Sequence, residues 1–233
     1  MTDERIGVVI PAAGEGRRMG GVRKPFLKLR GAPVLQLAMS PFLAHPAVVR
    51  VAVALSVDVL TQPPEWLASI DPRVRLVEGG ETRFRSVLHG LEALGDEADV
   101  VMIHDAARPL VTKAMIERCL SARVMEEGVV VGRPVTDTLK QVDEMGRIES
   151  TPDRSRIWRA ETPQAFPLGS LLRAYRAAAA GRGSFTDDAA VFAAAGGVVR
   201  MVDGRAPNLK VTHPEDLALA ELIWTGAREE HGR

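Results

Sequence analysis

The chain has 233 residues, 46% of them hydrophobic, enough to bury a substantial core as one domain carrying at most a small excursion. Its 30 Lys and Arg balance 30 Asp and Glu, which excludes a general electrostatic attraction to nucleic acid or anionic membrane, so any positive site has to be local. The start, MTDERIGVVIPAAG, is acidic and lacks a charged-then-apolar leader, and no apolar run approaches membrane-spanning length, so a cytoplasmic protein is expected.

The first apolar run, Ile6 to Ala12, reads as a short buried strand. Pro33 to Leu43 has helical spacing with Pro33 near its start. Val48 to Leu55 and Val74 to Val77 are again strand-like, Glu81 to Leu94 is helical, and Val100 to Ile103 is a strand. Thr112 to Glu126 reads as a helix that Gly128 closes, and Val129 to Val131 as a strand. Cys119 falls inside that helical pattern with no second cysteine to pair with, so a buried structural thiol is expected. The alternation predicts an α/β fold: a mainly parallel sheet, right-handed crossovers, and helices on both faces. Ligands in such folds belong at the carboxyl ends of the strands.

Arg133 to Ala160, RPVTDTLKQVDEMGRIESTPDRSRIWRA, breaks the pattern, being polar and β-branched with DEMGR as a hairpin turn. So little apolar surface cannot support its own core, and a protruding β-arm is expected, covered by a second subunit or by solvent. Leu168 to Ala179 and Thr186 to Ala195 then read as helices, Val198 to Val202 as a strand, and THPEDLALAELIW as a closing helix capped by its threonine or aspartate. There are no repeats or linkers. The chain leaves no room for a fused second enzyme, and a monofunctional protein is expected.

Two stretches carry chemistry. After the first strand, Pro11-Ala12-Ala13-Gly14 leads into Gly16 and Gly20-Gly21, exposing backbone N–H groups that phosphate oxygens can approach, while Arg17, Arg18, Arg23 and Lys24 add charge. The P-loop ending Gly-Lys-Ser/Thr is absent, and Met19 occupies the third glycine of the dinucleotide fingerprint, which weakens a nicotinamide-dependent oxidoreductase. In VVMIHDAARPL a buried strand delivers His104, Asp105 and Arg108 at its carboxyl end. Asp105 can share a magnesium ion with substrate phosphates or cap a helix. His104 has no partners at metal-ligand spacing and suits a hydrogen-bonded structural role. Lys210, in RAPNLKVTHPEDL, taken alone is a solvated surface charge.

Taken in order and across nearly the whole chain, PAAGEGRRMG, KPFLKLRGAPVL, EGGETRFRSVLHGL, HDAARP, PVTDTLK, TPQAF, TDDAA and NLKVTHPEDLALAE resemble the 2-C-methyl-D-erythritol 4-phosphate cytidylyltransferase family. The resemblance implies a Rossmann-like nucleotidyltransferase fold and a homodimer in which the 133–160 arm reaches its partner. It also implies magnesium-dependent transfer of CMP from CTP to methylerythritol phosphate with release of pyrophosphate, a step of the non-mevalonate isoprenoid route. Matched by position, it implies that Arg18 and Lys24 are the triphosphate-binding, catalytic pair and that Lys210 sits at the reacting phosphate. It implies that Ala12, Ala13, Gly80, Glu81 and Ser86 form the pyrimidine pocket, with Gly14 and Gly16 along the nucleotide. Asp105 and Arg108 match one side of the acceptor site, while Thr138, Arg154 and Thr186 match positions contributed by the neighbouring subunit.

Attack of one phosphate on another brings two anions together, so charge neutralisation and positioning should carry most of the acceleration, with no covalent enzyme nucleophile. The family usually has Pro-Lys-Gln where this chain has Arg23-Lys24-Pro25, after a loop one residue shorter, and Pro25 is expected to hold Lys24 extended. Glu81 and Asp188 are a longer and a shorter acid than the family pattern, with charge kept. A ribitol 5-phosphate cytidylyltransferase shares the fold and CTP site, but HDAARP favours the methylerythritol branch. A CTP-sensing regulator without turnover would be expected to lose some of Arg18, Lys24, Asp105 and Lys210, and all four are present.

Overall fold

The computed structural model describes residues 4–14, 23–181 and 185–231, with side chains described as far as residue 225. In chain order the first half consists of β1 (Ile6–Pro11), a 3-10 turn (Lys24–Phe26), β2 (Lys28–Leu29), β3 (Ala32–Pro33), α1 (Val34–Leu43), β4 (Val48–Leu55), α2 (Val57–Thr61), α3 (Glu65–Ala68), β5 (Val74–Glu78), α4 (Arg83–Leu94) and β6 (Val100–Ile103). The second half consists of α5 (Lys113–Ser121), β7 (Gly128–Pro134), β8 (Gln141–Val142), β9 (Ile148–Ser150), a 3-10 turn (Arg154–Arg156), β10 (Trp158–Pro167), α6 (Leu168–Ala180), α7 (Asp188–Ala194), β11 (Val199–Asp203) and α8 (Pro214–His231).

A seven-stranded sheet in the order β5-β4-β1-β6-β10-β7-β11 forms the centre, and every strand except β10 runs the same way. β1 lies between β4 and β6, with strands added outward in both directions from it. That is the switch point at which α/β sheets open a crevice for ligands. Because side chains alternate across a strand, Ile6, Val8 and Ile10 enter one core with Leu35, Met39 and Phe42 of α1 and Met115, Ile116 and Cys119 of α5. Val9 enters the other, with Leu91 and Leu94 of α4, Leu171 and Tyr175 of α6 and Phe192 of α7. Each fully buried Leu, Phe or Met in these layers contributes about 1.5–3 kcal/mol. α4 lies close against β1 at Gly90, where an added Cβ would come within 2.4 Å of Val9 Cγ1.

The alternating elements stand where their periodicity predicts, with altered ends. Thr82 and Thr112 cap α4 and α5, their hydroxyls accepting from the N–H of Arg85 and Met115. α5 stops at Ser121 rather than near Glu126: Arg123 N–H reaches back three residues to Leu120 O instead of four, and Glu126 takes a φ of +67°. Gly128 consequently begins β7 instead of closing a helix. Asp216 caps α8 from within its first turn, its Oδ2 accepting the N–H of Thr212 at 2.7 Å and His213 at 2.8 Å.

The larger departure is β10. This ten-residue strand lies antiparallel between β6 and β7, through residues read as the end of the arm and a polar motif. It hides Glu161, Thr162 and Gln164, and the Thr162–Pro163 bond within it is cis. Beyond it, β8 and β9 pair around the predicted DEMGR turn, where Asp143 Oδ1 accepts from the N–H of Met145 and Arg147 and Gly146 adopts φ +78°. Cys119 is fully buried, and burial pushes its thiol up to about 12, matching the structural role expected for it.

Candidate active site

Carboxyl ends of β1, β4 and β5 form the first half of the site. Ala12 N–H extends the β1 ladder to Ala54 O at 2.7 Å, and β5 leads into Gly79-Gly80 just ahead of α4. A Cβ on Gly79 would sit 2.4 Å from Ala13 Cβ and 3.1 Å from Ser86 Oγ, so only glycine lets these segments meet. Ser86 Oγ accepts the Gly80 N–H at 3.1 Å and donates to Thr82 O at 3.0 Å. Four of the residues assigned to the pyrimidine pocket, Ala12, Ala13, Gly80 and Ser86, thus converge on one small-residue surface; Glu81 is exposed at its rim. Gly14 has open space where a Cβ would point. Gly16 and Arg18 lie outside the described residues.

Lys24 does not have the extended backbone expected ahead of Pro25. Residues 24–26 form a 3-10 turn closed by Phe26 N–H to Arg23 O and Leu27 N–H to Lys24 O, with Pro25 buried beneath it. Two hydrogen bonds and a buried ring outweigh the local preference of a pre-proline residue. Arg23 turns away to Ser56 Oγ at 3.1 Å and Asp58 Oδ2 at 2.5 Å. N–H bonds from His213 and Thr212 hold the Asp216 carboxyl low, and the Lys24 charge adds to them.

Asp105 organises the second half, at the end of β6. Its Oδ1 lies 3.1 Å from Arg83 Nε, and its Oδ2 lies 2.8 Å from Lys210 Nζ and 3.6 Å from Arg108 Nε. Burial by itself would push the Asp105 carboxyl up, but the charges of Arg83, Lys210 and Arg108 outweigh it and hold the group well below the usual carboxylate range. The antiparallel register that sets Gln164 opposite Ile103 brings Thr162 alongside Asp105, whose N–H donates to Thr162 Oγ1 at 3.0 Å. Asn208 Nδ2 donates to Thr162 O at 2.6 Å, and Arg108 Nη1 donates to Asn208 O at 2.7 Å. A cavity of about 350 Å³ opens here, lined by Arg108, Arg133, Arg159, Glu161 and Lys210 among others.

His104 is fully buried behind this cluster, and burial lowers its pKa to about 4. The neutral ring donates from Nε2 to Arg108 O at 3.1 Å and accepts the Thr162 hydroxyl at Nδ1, 3.0 Å away. It is the hydrogen-bonded structural histidine expected from the sequence. A depressed folded-state pKa gives stability that is full above the unfolded value of about 6.5 and is lost as pH falls toward 4. Thermal melting from pH 7.5 to 4.5 should show a loss of roughly 3 kcal/mol across that window. A His104→Gln variant, less stable at neutral pH, should show a flatter profile; an unchanged slope would exclude His104 as the group responsible.

Sequence reasoning assigned roles to Asp105, Arg108 and Lys210, and the structure brings them together across 105 residues. Thr138, Arg154 and Thr186 are exposed, and among the described residues none makes a hydrogen bond or ion pair with Asp105, Arg108 or Lys210. Arg83, Asp188, Tyr175, Thr162 and Asn208 were not assigned roles. Arg83 holds Asp188 as well as Asp105, and Tyr175 Oη donates to Asp188 Oδ1. The available signal was that Arg83, Asp188, Thr162 and Asn208 all fall within the quoted motifs.

Asp105 was also the predicted magnesium ligand. Both of its oxygens face cations, and among the described residues no group of three or more His, Cys, Asp or Glu could hold an ion. With both oxygens engaged by cations, Asp105 does not fit a magnesium ligand as the protein stands; an ion that brings its ligands as phosphate and water oxygens would not need it.

A mostly parallel sheet carrying a glycine turn and a cation-rich carboxylate at its strand ends defines an α/β enzyme built for anionic substrates. The 2-C-methyl-D-erythritol 4-phosphate cytidylyltransferase family model matches residues 6–226. The cytidylyltransferase of that name from Haemophilus influenzae (strain PittGG) is 42% identical over 221 residues, 94% of this chain and 96% of that protein. Its counterpart from Ectopseudomonas mendocina (strain ymp) is 43% identical over 226 residues, again 94% and 96%. The crystal structure of the Thermus thermophilus protein superposes with a TM-score of 0.78 at 33% identity, covering 94% of this chain and 98% of that one. That of 4-diphosphocytidyl-2C-methyl-D-erythritol synthase from Anaerococcus prevotii gives 0.85 at 26% identity, covering 96% and 97%. The chain belongs to the 2-C-methyl-D-erythritol 4-phosphate cytidylyltransferase family and has its fold.

Proposed function

We propose that this enzyme transfers CMP from CTP to 2-C-methyl-D-erythritol 4-phosphate, releasing pyrophosphate. The observation that carries the reaction in this chain is the cluster at Asp105, where Lys210 and Arg108 converge beside the glycine-lined end of β1. An acceptor phosphate oxygen forms the new P–O bond to the α-phosphorus of CTP while the bond to the departing pyrophosphate breaks in line with it. Lys24 and Arg18 offset triphosphate charge, and Lys210, 2.8 Å from Asp105 in the free protein, is held within reach of the acceptor phosphate. Ala12, Ala13, Gly80 and Ser86 bind the base through small side chains and backbone groups, Glu81 stands at the rim, and Gly14 and Gly16 leave room for the phosphates. Discrimination against uracil follows because its exchanged donor and acceptor would leave buried polar groups unpaired.

Magnesium belongs to this reading as the ion that neutralises the triphosphate, held chiefly by phosphate and water oxygens rather than by Asp105, whose two oxygens are engaged by Arg83 and Lys210. A homodimer belongs to it as well: the arm exposes Val142, Met145 at 77% and Ile148 at 64%, apolar surface that a second copy would cover. Thr138 and Arg154 on that arm, with Thr186, would then complete the acceptor site of the neighbouring subunit. The setting proposed is the cytoplasm; among the described residues no helix is long and apolar enough to cross a membrane.

A pyrophosphate-release assay with magnesium and CTP, run with methylerythritol phosphate, ribitol 5-phosphate or no acceptor, tests the proposal. Release with methylerythritol phosphate alone is expected. Release with ribitol phosphate alone would overturn the acceptor, and silence with both would favour a CTP-binding regulator.

A further inference from the structure

Arg83 is the first residue of α4, and its guanidinium spans two carboxylates that lie in different parts of the chain. Nη1 and Nη2 donate to Asp188 Oδ1 and Oδ2 at 3.0 and 2.7 Å, a two-pronged grip on a fully buried carboxylate that also accepts the Tyr175 hydroxyl. The remaining edge, Nε, donates to Asp105 Oδ1 at 3.1 Å. Stacking of Phe84 on Tyr175, with ring centres 4.7 Å apart, anchors the start of α4 on the same side. The planar fork is fixed by Asp188, so the direction of Nε is fixed too. With Oδ1 taken, Asp105 turns Oδ2 toward Lys210 and Arg108.

We propose that Arg83 is a positioning residue for the transfer reaction: it sets the orientation of the Asp105 carboxylate, and through it the place of Lys210 and Arg108 at the acceptor phosphate. This rests on the cytidylyltransferase reading given above. Arg83 itself contacts no reacting atom; it acts through Asp105. A competing account is that it only neutralises buried Asp188, a service to stability alone.

Three variants separate the accounts, read by melting temperature and by kcat and KM for each substrate. Arg83→Gln should lower kcat/KM for the acceptor between about tenfold and a hundredfold, the scale of a small misplacement of reacting groups, while the KM for CTP changes little. It should also lower the melting temperature, because Asp188 is left buried without its cation. The double variant Arg83→Gln, Asp188→Asn removes that stranded charge: its melting temperature should recover while the acceptor kcat/KM stays low. Recovery of both would overturn the proposal, as would equal changes in the two KM values of Arg83→Gln. Arg83→Lys keeps a cation beside Asp188 but cannot grip two carboxylates, so it should melt near the unmodified protein and still lose acceptor kcat/KM. Unimpaired kcat/KM in that variant would overturn the proposal even if the double variant failed to fold. The unmodified protein is assayed first: no pyrophosphate release from it would defeat the reaction and Arg83's role together, whereas normal release leaves the variants to judge Arg83 alone.

Discussion

Lys210→Ala should lower kcat/KM for the acceptor by on the order of a hundredfold or more while leaving the melting temperature within a few degrees of the unmodified protein. The reaction joins two anions, and a fixed cation aimed at the charge in transit is the kind of group whose loss costs that much. The Lys210 side chain is 41% exposed, so its removal opens no cavity, and Asp105 keeps Arg83 and Arg108. The backbone around it is tied down independently, by Val211 N–H to Ala107 O at 2.8 Å and by the Thr212 hydroxyl to Lys210 O at 3.2 Å. Lys210→Arg should recover part of the rate, since charge returns with a different shape. Steady-state kinetics beside thermal melting make the check; a loss below about tenfold for Lys210→Ala would return this residue to the solvated surface charge that its sequence context suggests when taken alone.

Most of the fold was legible because it is written in apolar periodicity. Val48–Leu55, ending at Ser56, and Val100–Ile103, between Asp99 and His104, are short apolar runs, and they match β4 and β6 as observed. β10 was not legible, for a reason that belongs to the site. Glu161, Thr162 and Gln164 are buried in a central strand, and the sequence gives no sign that polar side chains there will find partners. Gln164 finds Asp187 Oδ2 at 3.2 Å and the Ala189 N–H at 3.1 Å, while Thr162 finds Asp105 and His104. With Pro163 between them, the pattern offers no central strand there.

The site shows the same division. Family resemblance singled out Asp105, Arg108 and Lys210, yet Arg83 and Asp188, 105 positions apart, form a buried pair that local pattern cannot announce. Asp188 reads as an ordinary acid in the first turn of a helix, where the dipole favours one, and nothing near Arg83 in the sequence points to the carboxylate it meets. Lys24 shows the reverse error: a local rule for residues before proline was sound in itself and gave way to the turn that the surrounding segment closes.

Asp105→Asn should damage both stability and catalysis. The side chain is about the same size and keeps the backbone N–H to Thr162, so the change is chiefly the loss of one negative charge among Arg83, Arg108 and Lys210. Breaking a fully buried ion pair costs about 3–5 kcal/mol; here the loss should fall toward the lower end, because Arg108 and Lys210 lose this carboxylate while Arg83 keeps Asp188 and Lys210 is part-exposed. Acid cannot easily make the same change. With its carboxyl held well below the ordinary range, Asp105 stays ionised through mildly acidic pH, and its contribution to stability is full above about 3.9 and lost only as pH falls further. Asp105→Asn should therefore show at pH 7 a destabilisation that the unmodified protein does not suffer from this group at pH 5. Its kcat/KM for the acceptor should fall on the order of a hundredfold as Lys210 and Arg108 lose their common anchor, while CTP affinity, set at the ends of β1 and β5, changes little. Denaturant unfolding at pH 7, with calorimetric titration of CTP, would decide it: unaltered stability would mean that the three cations do not depend on Asp105, and a parallel loss of CTP binding would mean that the two halves of the site are not separately built.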